Sequence, residues 1–338
     1  MEFEKIGFGD FEVYLSPPSH YRARAEFRIL NLDGNLSYAM HGYDKRLLPI
    51  EDCPKTISAV FDLMPNLLKE IQNSEALCER LFAVEFLGTL AGEVAVTLIY
   101  HKRLDQRWRE EAETLKERFK IEIIGRSRGQ KEVIGRDFVI EELPVCDRRF
   151  KYVHKEGSFT QPNPFVNIKM IEWACDVCEG LDGDLLELYC GGGNFTLPLG
   201  DRFERVLATE ISKSSIAAAK ESAKMNGIRN VSFVRLSSEE FARAYRGERE
   251  FKRLKQAAIR LDEYRFSTVL VDPPRAGLDG ATIDLVREFE NILYISCNPQ
   301  TLLRDAKILR KSHKIVFGAF FDQFPYTPHL ECALLFRR

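Results

Sequence analysis

The chain has 338 residues, enough for one large hydrophobic core or two smaller ones. It is 45% hydrophobic and 30% charged, as globular proteins are, and no run approaches the roughly 20 apolar residues of a membrane span. The net charge of −2 gives no overall basic field for a nucleic acid, although a local patch suffices for phosphate contacts.

The beginning of the chain lacks the charged-then-apolar order of a signal peptide, so a cytoplasmic location without membrane attachment is expected. We also expect a monomer, because no exposed apolar stripe requires a partner.

Residues 1–155 are predicted to form an α+β domain with an antiparallel sheet. Period-two polarity predicts strands, and longer amphipathic patterns predict helices near 57–74 and 105–118. The predicted strands are Arg24–Leu30, Phe82–Leu87 and Val94–Tyr100. Two basic runs of this domain are candidate phosphate contacts: Arg22, Arg24 and Arg28, and His101–Arg103 with Arg107 and Arg109. Tyr21 and Phe27 are predicted to lie in the core.

Residues 156–338 are predicted to form a Rossmann-like α/β domain. Five short apolar runs alternate with helical patterns, which is typical of buried parallel strands. Two last runs are joined by a loop too short for a parallel crossover, so they must pair antiparallel. Five parallel strands followed by a hairpin are typical of methyltransferases rather than of dinucleotide dehydrogenases. The runs are Asp184–Tyr189, Arg205–Ile211, Val231–Leu236, Ser267–Val271 and Leu293–Ser296, then Lys314–Phe321 and Cys332–Phe336.

No metal site is predicted. Cys175 and Cys178 form a C-x2-C, but they lie in a helical pattern and no second such pair exists to complete a tetrahedral site. They are interpreted as helix-packing residues.

A glycine turn follows the first predicted parallel strand. Residues 189–196 combine a strand end, three glycines and a helix start, the geometry that lets backbone approach a nucleotide-like ligand. Glu210 ends the next strand, where such folds hold ribose hydroxyls. A nicotinamide dinucleotide and S-adenosylmethionine both remain possible cofactors. The turn fits S-adenosylmethionine better, because Thr196 interrupts the third glycine position.

A reactive cluster follows the fourth and fifth strands. Asp272-Pro273-Pro274 is followed by Arg275, where methyltransferases of exocyclic amines carry a stacking aromatic residue, so amine methylation is disfavoured. Cys297 lies just beyond the fifth strand. The helix that starts after Pro299 directs its positive end at this cysteine, so we expect it to favour the thiolate.

Glu331 is predicted to lie beside Cys297. The last strand runs antiparallel to the fifth, so its beginning lies where its neighbour ends. A thiol and a carboxylate beside S-adenosylmethionine suit methylation of uracil at C5. The thiolate adds to C6 and makes C5 nucleophilic, and the carboxylate then removes the C5 proton. The base has to be flipped out of its stack to reach them.

Together these residues resemble the RNA uracil-5-methyltransferase family, most closely its tRNA branch. The matching segments are Ser19–Arg28, Leu98–Lys102, Ser158–Asn163, Leu186–Gly191, Val206–Ile211, Val271–Arg275, Ile295–Pro299 and Phe321–Pro325. One departure is Gly192, where relatives often have a bulkier polar residue.

The resemblance implies that Cys297 is the nucleophile and Glu331 the proton acceptor. It also implies an S-adenosylmethionine site lined by Gln161, Tyr189, Asn194, Glu210 and Asp272. It implies RNA binding by the N-terminal domain and 5-methyluridine at position 54, in the T-arm loop of tRNA, with transfer-messenger RNA (tmRNA) as a second substrate. Two alternatives stay open: methylation of ribosomal RNA, and a tRNA-folding role in which methylation is secondary. An extra oligonucleotide-binding barrel and an iron–sulfur site, common in ribosomal-RNA relatives, are not evident, which favours tRNA.

Overall fold

A computed structural model describes residues 3–4, 7–42 and 44–338. The strands are β1 Glu12–Tyr14, β2 Arg24–Leu32, β3 Asn35–His41, β4 Leu47–Ile50, β5 Leu81–Gly88, β6 Val94–Tyr100, β7 Glu122–Ser127, β8 Gln130–Ile134, β9 Phe138–Val145, β10 Arg148–Lys155, β11 Asp184–Leu188, β12 Val206–Thr209, β13 Val231–Val234, β14 Phe266–Val271, β15 Asn291–Ser296, β16 Lys314–Phe321 and β17 Glu331–Arg337. The helices are α1 Ser58–Asn73, α2 Glu75–Cys78, α3 Gln106–Phe119, α4 Pro164–Val177, α5 Thr196–Leu199, α6 Lys213–Met225, α7 Ser238–Tyr245, α8 Lys252–Gln256, α9 Gly280–Val286 and α10 Pro299–Leu309.

The chain divides into two compact units. The C-terminal unit comprises Met1–Ser16, Leu143–Tyr152 and Phe165–Arg338, and the N-terminal unit comprises Pro17–Glu142 and Val153–Pro164. This division differs from the single boundary predicted near residue 155, because the chain passes between the units more than once. Within the described ranges, no helix is long and apolar enough to cross a membrane.

The C-terminal unit contains an eight-stranded sheet in the order β1-β16-β17-β15-β14-β11-β12-β13. The strands from β15 to β13 are parallel, and β17 is antiparallel to both β15 and β16. Strands β11, β12 and β15 are buried along their whole length, as parallel strands covered on both faces are. The predicted Rossmann-like methyltransferase fold with its final antiparallel hairpin is confirmed.

Strand β1 was not predicted. Its three residues pair in parallel with Ala319–Phe321 of β16, and Tyr14 stacks on Phe321 with ring centroids 5.1 Å apart. The Trp173 indole N–H also donates to Glu12 over 3.1 Å. These contacts assign the start of the chain to the C-terminal unit, although the residues that follow it belong to the N-terminal unit.

The N-terminal unit contains a seven-stranded sheet in the order β4-β3-β2-β5-β6-β7-β8. Its strand pairs are antiparallel except β6–β7, which α3 connects. Asp105 caps α3 by accepting a hydrogen bond from the Trp108 backbone N–H over 2.9 Å. Tyr21 and Phe27 are buried, as predicted. The predicted strands and helices of this unit lie within two residues of the observed ones.

Candidate active site

The predicted site residues of the C-terminal unit lie along one edge of its sheet. Glu331 begins β17, Cys297 follows β15, Asp272 follows β14, and Glu210 follows β12. The glycine turn follows β11, between the strands that precede Asp272 and Glu210. Neighbouring strands are about 4.8 Å apart, so the four steps from β17 to β12 cover roughly 19 Å. The sheet order therefore brings the reactive and the cofactor residues into one continuous row.

The glycine turn is open on its outer side. Tyr189 and Gly191 have φ values of 64° and 54°, so the backbone is left-handed at the point where the strand ends. A Cβ added at Gly191 or Gly192 would meet no atom within 4 Å. The turn leaves space for a ligand to approach its backbone.

Glu210 lies across from this turn. One of its carboxylate oxygens accepts a hydrogen bond from the Gly191 N–H over 3.2 Å, and the other accepts one from the Ser212 N–H over 2.7 Å. The parallel pairing of β11 with β12 sets this arrangement. The acidic group is therefore fixed beside the turn, as predicted for a group that binds ribose hydroxyls.

Asn194 and Tyr189 have structural partners. The side-chain amides of Asn194 and Asn167 exchange two hydrogen bonds, of 2.8 and 2.9 Å. The Tyr189 hydroxyl donates to Ser238 Oγ over 2.8 Å. The side chains of Asn194 and Tyr189 thus hold the turn in place, and Asn167 is a contributor that the sequence patterns did not reveal.

Two buried polar side chains, Glu187 and Thr196, precede and follow the glycines of the turn. Burial raises the pKa of Glu187 to about 8, the Thr196 hydroxyl acts against this shift, and the charge of Asp272 adds to it. The two side chains therefore interact with each other. The sequence interpretation treated Glu187 only as part of a buried strand.

Gln161 is the one predicted cofactor residue that does not belong to the C-terminal unit. It belongs to the N-terminal unit, three residues before α4, and is half-buried. Its assignment to the cofactor site remains a prediction from the family resemblance.

Cys297 and Glu331 lie on paired strands. Ser296, the last residue of β15, is directly opposite Cys332 of β17, so Cys297 and Glu331 flank this pair at the same end. The Cys332 thiol donates to the Ser296 carbonyl over 3.5 Å. Cys297 is half-buried, whereas Glu331 is only 4% exposed. The juxtaposition expected from the strand order is present, and the roles of the two residues remain predictions.

The expected stabilisation of the thiolate is absent. Burial raises the pKa of Cys297 to about 11, and the charges of Glu331 and Asp272 add to the shift. A backbone hydrogen bond of Cys297 and the charge of Arg275 act in the opposite direction, but they do not offset the burial and the two carboxyls. Burial similarly raises the pKa of Glu331 to about 8 and that of Asp272 to about 7.

The cysteines of the helical C-x2-C are both buried and free. In the described part of the chain, no three His, Cys, Asp or Glu side chains are grouped so that they could hold a metal ion.

The basic runs of the N-terminal unit fall into two groups. Arg24 and Arg109 pair with Glu85 and Glu132, and Lys102 donates to Glu79 over 3.0 Å, so these cations are partly neutralised. Arg24 is therefore a poor candidate for a phosphate contact, because Glu85 and the Ser158 carbonyl already engage its guanidinium.

The other group forms a layered stack on the sheet. The Arg28 guanidinium carbon lies 3.3 Å from the centre of the Phe82 ring, and the His101 ring stacks on Phe82 at 4.2 Å. Two groups this close to one ring centre must lie on opposite faces. The stack borders a groove of about 720 Å³ lined by Ile99, Tyr100, Lys102, Arg103, Arg126, Ser127 and Arg128. The sequence did not reveal the role of Phe82, because the members of the stack come from separate segments: Arg28 from β2, Phe82 from β5, and His101 from just after β6.

Comparison with known proteins identifies the family. The tRNA (Uracil-5-)-methyltransferase family model matches residues 2–338. The chain belongs to the tRNA (uracil-5-)-methyltransferase family. A tRNA/tmRNA (uracil-C(5))-methyltransferase of a Nitratiruptor species is 54% identical over 338 residues, covering 100% of this chain and 92% of the relative. One of Acinetobacter baumannii is 52% identical over 342 residues, covering 100% of this chain and 95% of the relative.

A solved structure supports the fold. Pyrococcus abyssi tRNA (uracil-54, C5)-methyltransferase, in complex with S-adenosyl-L-homocysteine, matches 99% of this chain and 81% of that chain with a TM-score of 0.75. At 21% identity this likeness concerns the fold alone. The family predicted from the sequence motifs is confirmed by the family model and the relatives.

Proposed function

We propose that this protein is a tRNA (uracil-5-)-methyltransferase that methylates C5 of the T-loop uridine at position 54. The same loop of tmRNA is proposed as a second substrate, in line with the names of the bacterial relatives. The observation that carries the proposal is the row of Glu331, Cys297 and Asp272 next to an open glycine turn. A thiol, a buried carboxyl and a glycine turn that is open on its outer side lie there on neighbouring strands of one sheet.

The residues of the turn fit S-adenosylmethionine. A hydrogen bond holds Glu210 at the position where ribose hydroxyls would bind. The turn is open on its outer side at Gly191, so a ligand has room to contact the protein backbone there. We propose that Gln161, Tyr189, Asn194, Glu210 and Asp272 form the cofactor site, with Tyr189 and Asn194 acting chiefly by holding the turn. When bound, S-adenosylmethionine supplies an electrophilic methyl group on a sulfonium sulfur.

The thiol and the carboxyls divide the chemistry between them. Cys297 Sγ adds to C6 of the flipped uracil, and its proton passes to a carboxylate of the cluster. C5 thereby becomes nucleophilic toward the methyl group that a bound S-adenosylmethionine would supply, with S-adenosylhomocysteine as the leaving group. Glu331 then takes the C5 proton, the S–C6 bond breaks and the C5–C6 double bond returns. Burial raises the pKa values of Asp272 and Glu331. A cation beside them would favour their ionised forms, which can accept these protons.

The N-terminal unit is proposed to bind the RNA. The exposed face of His101 offers a stacking platform, and Arg28 and Arg103 offer positive charge without a carboxylate partner among the described residues. We also propose that the protein acts as a monomer in the cytoplasm.

Trapping of the covalent adduct tests this proposal. A T-arm RNA with 5-fluorouridine at the target position should form a stable adduct in the presence of S-adenosylmethionine, because the C5 fluorine replaces the proton that Glu331 must remove. Mass spectrometry should locate the adduct on Cys297. Cys297→Ala should form none and should lose at least about 10³-fold in methylation rate.

The matched control is Cys146→Ser, since Cys146 is an exposed cysteine of the same unit. It should form the adduct as the wild type does. An adduct on any other residue, or methylation retained by Cys297→Ala, would overturn the proposed mechanism.

A further inference from the structure

An exposed arginine–histidine pair lies next to the reactive cluster. Arg275 follows the Asp272-Pro273-Pro274 segment, and its Nη2 donates to His329 Nδ1 over 3.0 Å. Both residues are exposed, and His329 is two positions before Glu331. In the part of the chain that the structure describes, neither forms an ion pair with a carboxylate.

The hydrogen bond assigns the tautomer of the histidine. A guanidinium has only donors, so Nδ1 of His329 must accept and the ring proton belongs on Nε2. The pair therefore carries one positive charge, on Arg275. It offers the remaining guanidinium N–H groups and the imidazole Nε2–H as donors. This combination suits an anion with several acceptor oxygens, such as a phosphate diester.

The backbone that carries Arg275 is held rigidly by α10. The Arg275 carbonyl accepts hydrogen bonds from Asn298 Nδ2 at 3.2 Å and from Thr301 Oγ1 at 3.5 Å. Arg304 Nη2 donates to the carbonyl of Ala276 over 3.1 Å. A Cβ at Gly277, where φ is 78°, would lie 2.7 Å from the Arg304 side chain. The loop is thus closely packed while the guanidinium stays exposed.

Three segments of the reactive cluster converge on this arginine. Asp272 is three residues before it, Asn298 next to Cys297 bonds to its carbonyl, and His329 leads into Glu331. The groups deeper in the cluster are acidic and would repel a phosphate. A polyanionic strand that delivers one base to Cys297 therefore meets its positive charge at Arg275.

We propose that Arg275 and His329 bind a backbone phosphate of the RNA strand beside the flipped uridine. This inference rests on the proposed function, because it requires an RNA substrate at this site. The pair is a binding element for the strand, distinct from the groups that react with the base.

The salt dependence of RNA binding tests the inference. The affinity for an unmodified T-arm RNA is measured against KCl concentration with S-adenosylhomocysteine present, so that no methylation occurs. Arg275→Gln should weaken binding about tenfold at low salt and reduce the slope of log K against log salt by about 0.7 to 0.9, the loss of one phosphate contact. His329→Gln should lower the affinity several-fold without changing the slope, since the imidazole is neutral.

The matched control is Arg229→Gln. Arg229 is exposed, precedes β13 at the opposite edge of the sheet, and has no carboxylate partner among the described residues. This variant should retain the wild-type slope. Unchanged affinity for S-adenosylhomocysteine in all variants verifies that the fold is kept.

The outcomes are separable. A wild-type protein that neither binds the RNA nor methylates it refutes the proposed function and this inference with it. A wild-type protein that methylates tRNA, with equal salt slopes for Arg275→Gln and the wild type, refutes the inference alone. The inference alone is also refuted if Arg275→Gln binds RNA normally and changes only the alkylation rate of Cys297, because the arginine would then act on the thiol and not on the RNA.

Discussion

At the scale of single residues, the thiol of Cys297 has two carboxyl groups as neighbours. Cys297 has a pKa of about 11, and its neighbours Glu331 and Asp272 have pKa values of about 8 and 7. Burial is the first cause in each case, and each negative charge makes the next ionisation harder. The thiol is therefore protonated at neutral pH, and in the proposed mechanism it becomes a nucleophile when its proton moves to a carboxylate.

The pH dependence of thiol alkylation should reveal this environment. In a Cys146→Ser background, which removes the exposed cysteine and leaves Cys78 as the other half-buried one, iodoacetamide should label Cys297 about tenfold faster for each pH unit from 7 to 10. The rate should not level off, because the thiolate fraction keeps rising below a pKa of about 11. Mass spectrometry of the labelled peptide measures the rate.

Glu331→Gln provides the comparison. Removal of this carboxyl eliminates a charge that raises the pKa of Cys297, so the curve should move to lower pH. A wild-type rate that levels off below pH 8 would contradict the acidic environment described above.

At the scale of elements, the ends of the strands position the site. Each of β11, β12, β14 and β15 ends in a turn that carries one component, and β17 adds Glu331 from the opposite direction. The glycine turn after β11 combines left-handed backbone with open space at Gly191. In the proposed cofactor site, the backbone geometry of this turn, rather than its side chains, leaves room for the ligand.

Two neighbouring glycines of the turn differ in backbone conformation but have the same free space around them. Gly191 has φ 54°, whereas Gly192 lacks a positive φ, and an added Cβ would meet nothing within 4 Å at either. Gly191→Ala should lower the free energy of unfolding by about 1 kcal/mol, the cost of a left-handed alanine. Gly192→Ala should change it by less than about 0.5 kcal/mol. Denaturant unfolding checks both, and equal losses would contradict the assigned backbone strain.

Sequence patterns predicted most strands of the C-terminal sheet, but they did not predict the burial and the charges around individual side chains. Apolar runs and turn lengths were sufficient for the parallel strands, the final hairpin and the proximity of Cys297 to Glu331. They did not reveal β1, because three residues carry no periodicity and their partner lies at the other end of the chain. The local sequence also did not reveal the burial and the two carboxyls that raise the pKa of Cys297.

At the scale of the whole molecule, the proposed function assigns chemistry to one unit and RNA recognition to the other. The C-terminal unit contains the row of reactive and cofactor residues, and the N-terminal unit contains the stack of Arg28, Phe82 and His101. That stack escaped sequence analysis because its members are separated along the chain and meet only through strand pairing. Its exposure and charge suit unpaired bases and phosphates of RNA.

Phe82→Ala should therefore impair RNA binding selectively. Loss of the ring removes the support for Arg28 and His101, and binding of a T-arm RNA should weaken by about 1–3 kcal/mol. The affinity for S-adenosylhomocysteine should not change. Fluorescence anisotropy and calorimetry measure the two affinities.

Phe138→Ala is the matched control. Phe138 also lies beneath an arginine, with Arg136 at 5.1 Å, but Glu93 and Glu122 neutralise that arginine. This variant should bind RNA as the wild type does. Equal losses for the two variants would indicate general destabilisation of the unit instead of a stacking site.

The most direct test of the account is a methyl-transfer assay with labelled S-adenosylmethionine and mapping of the modified base. An unmodified tRNA transcript and a ribosomal-RNA transcript are offered side by side. The account predicts label in the tRNA alone, as 5-methyluridine at position 54 of the T loop. Label only in ribosomal RNA, or in neither transcript, would contradict it.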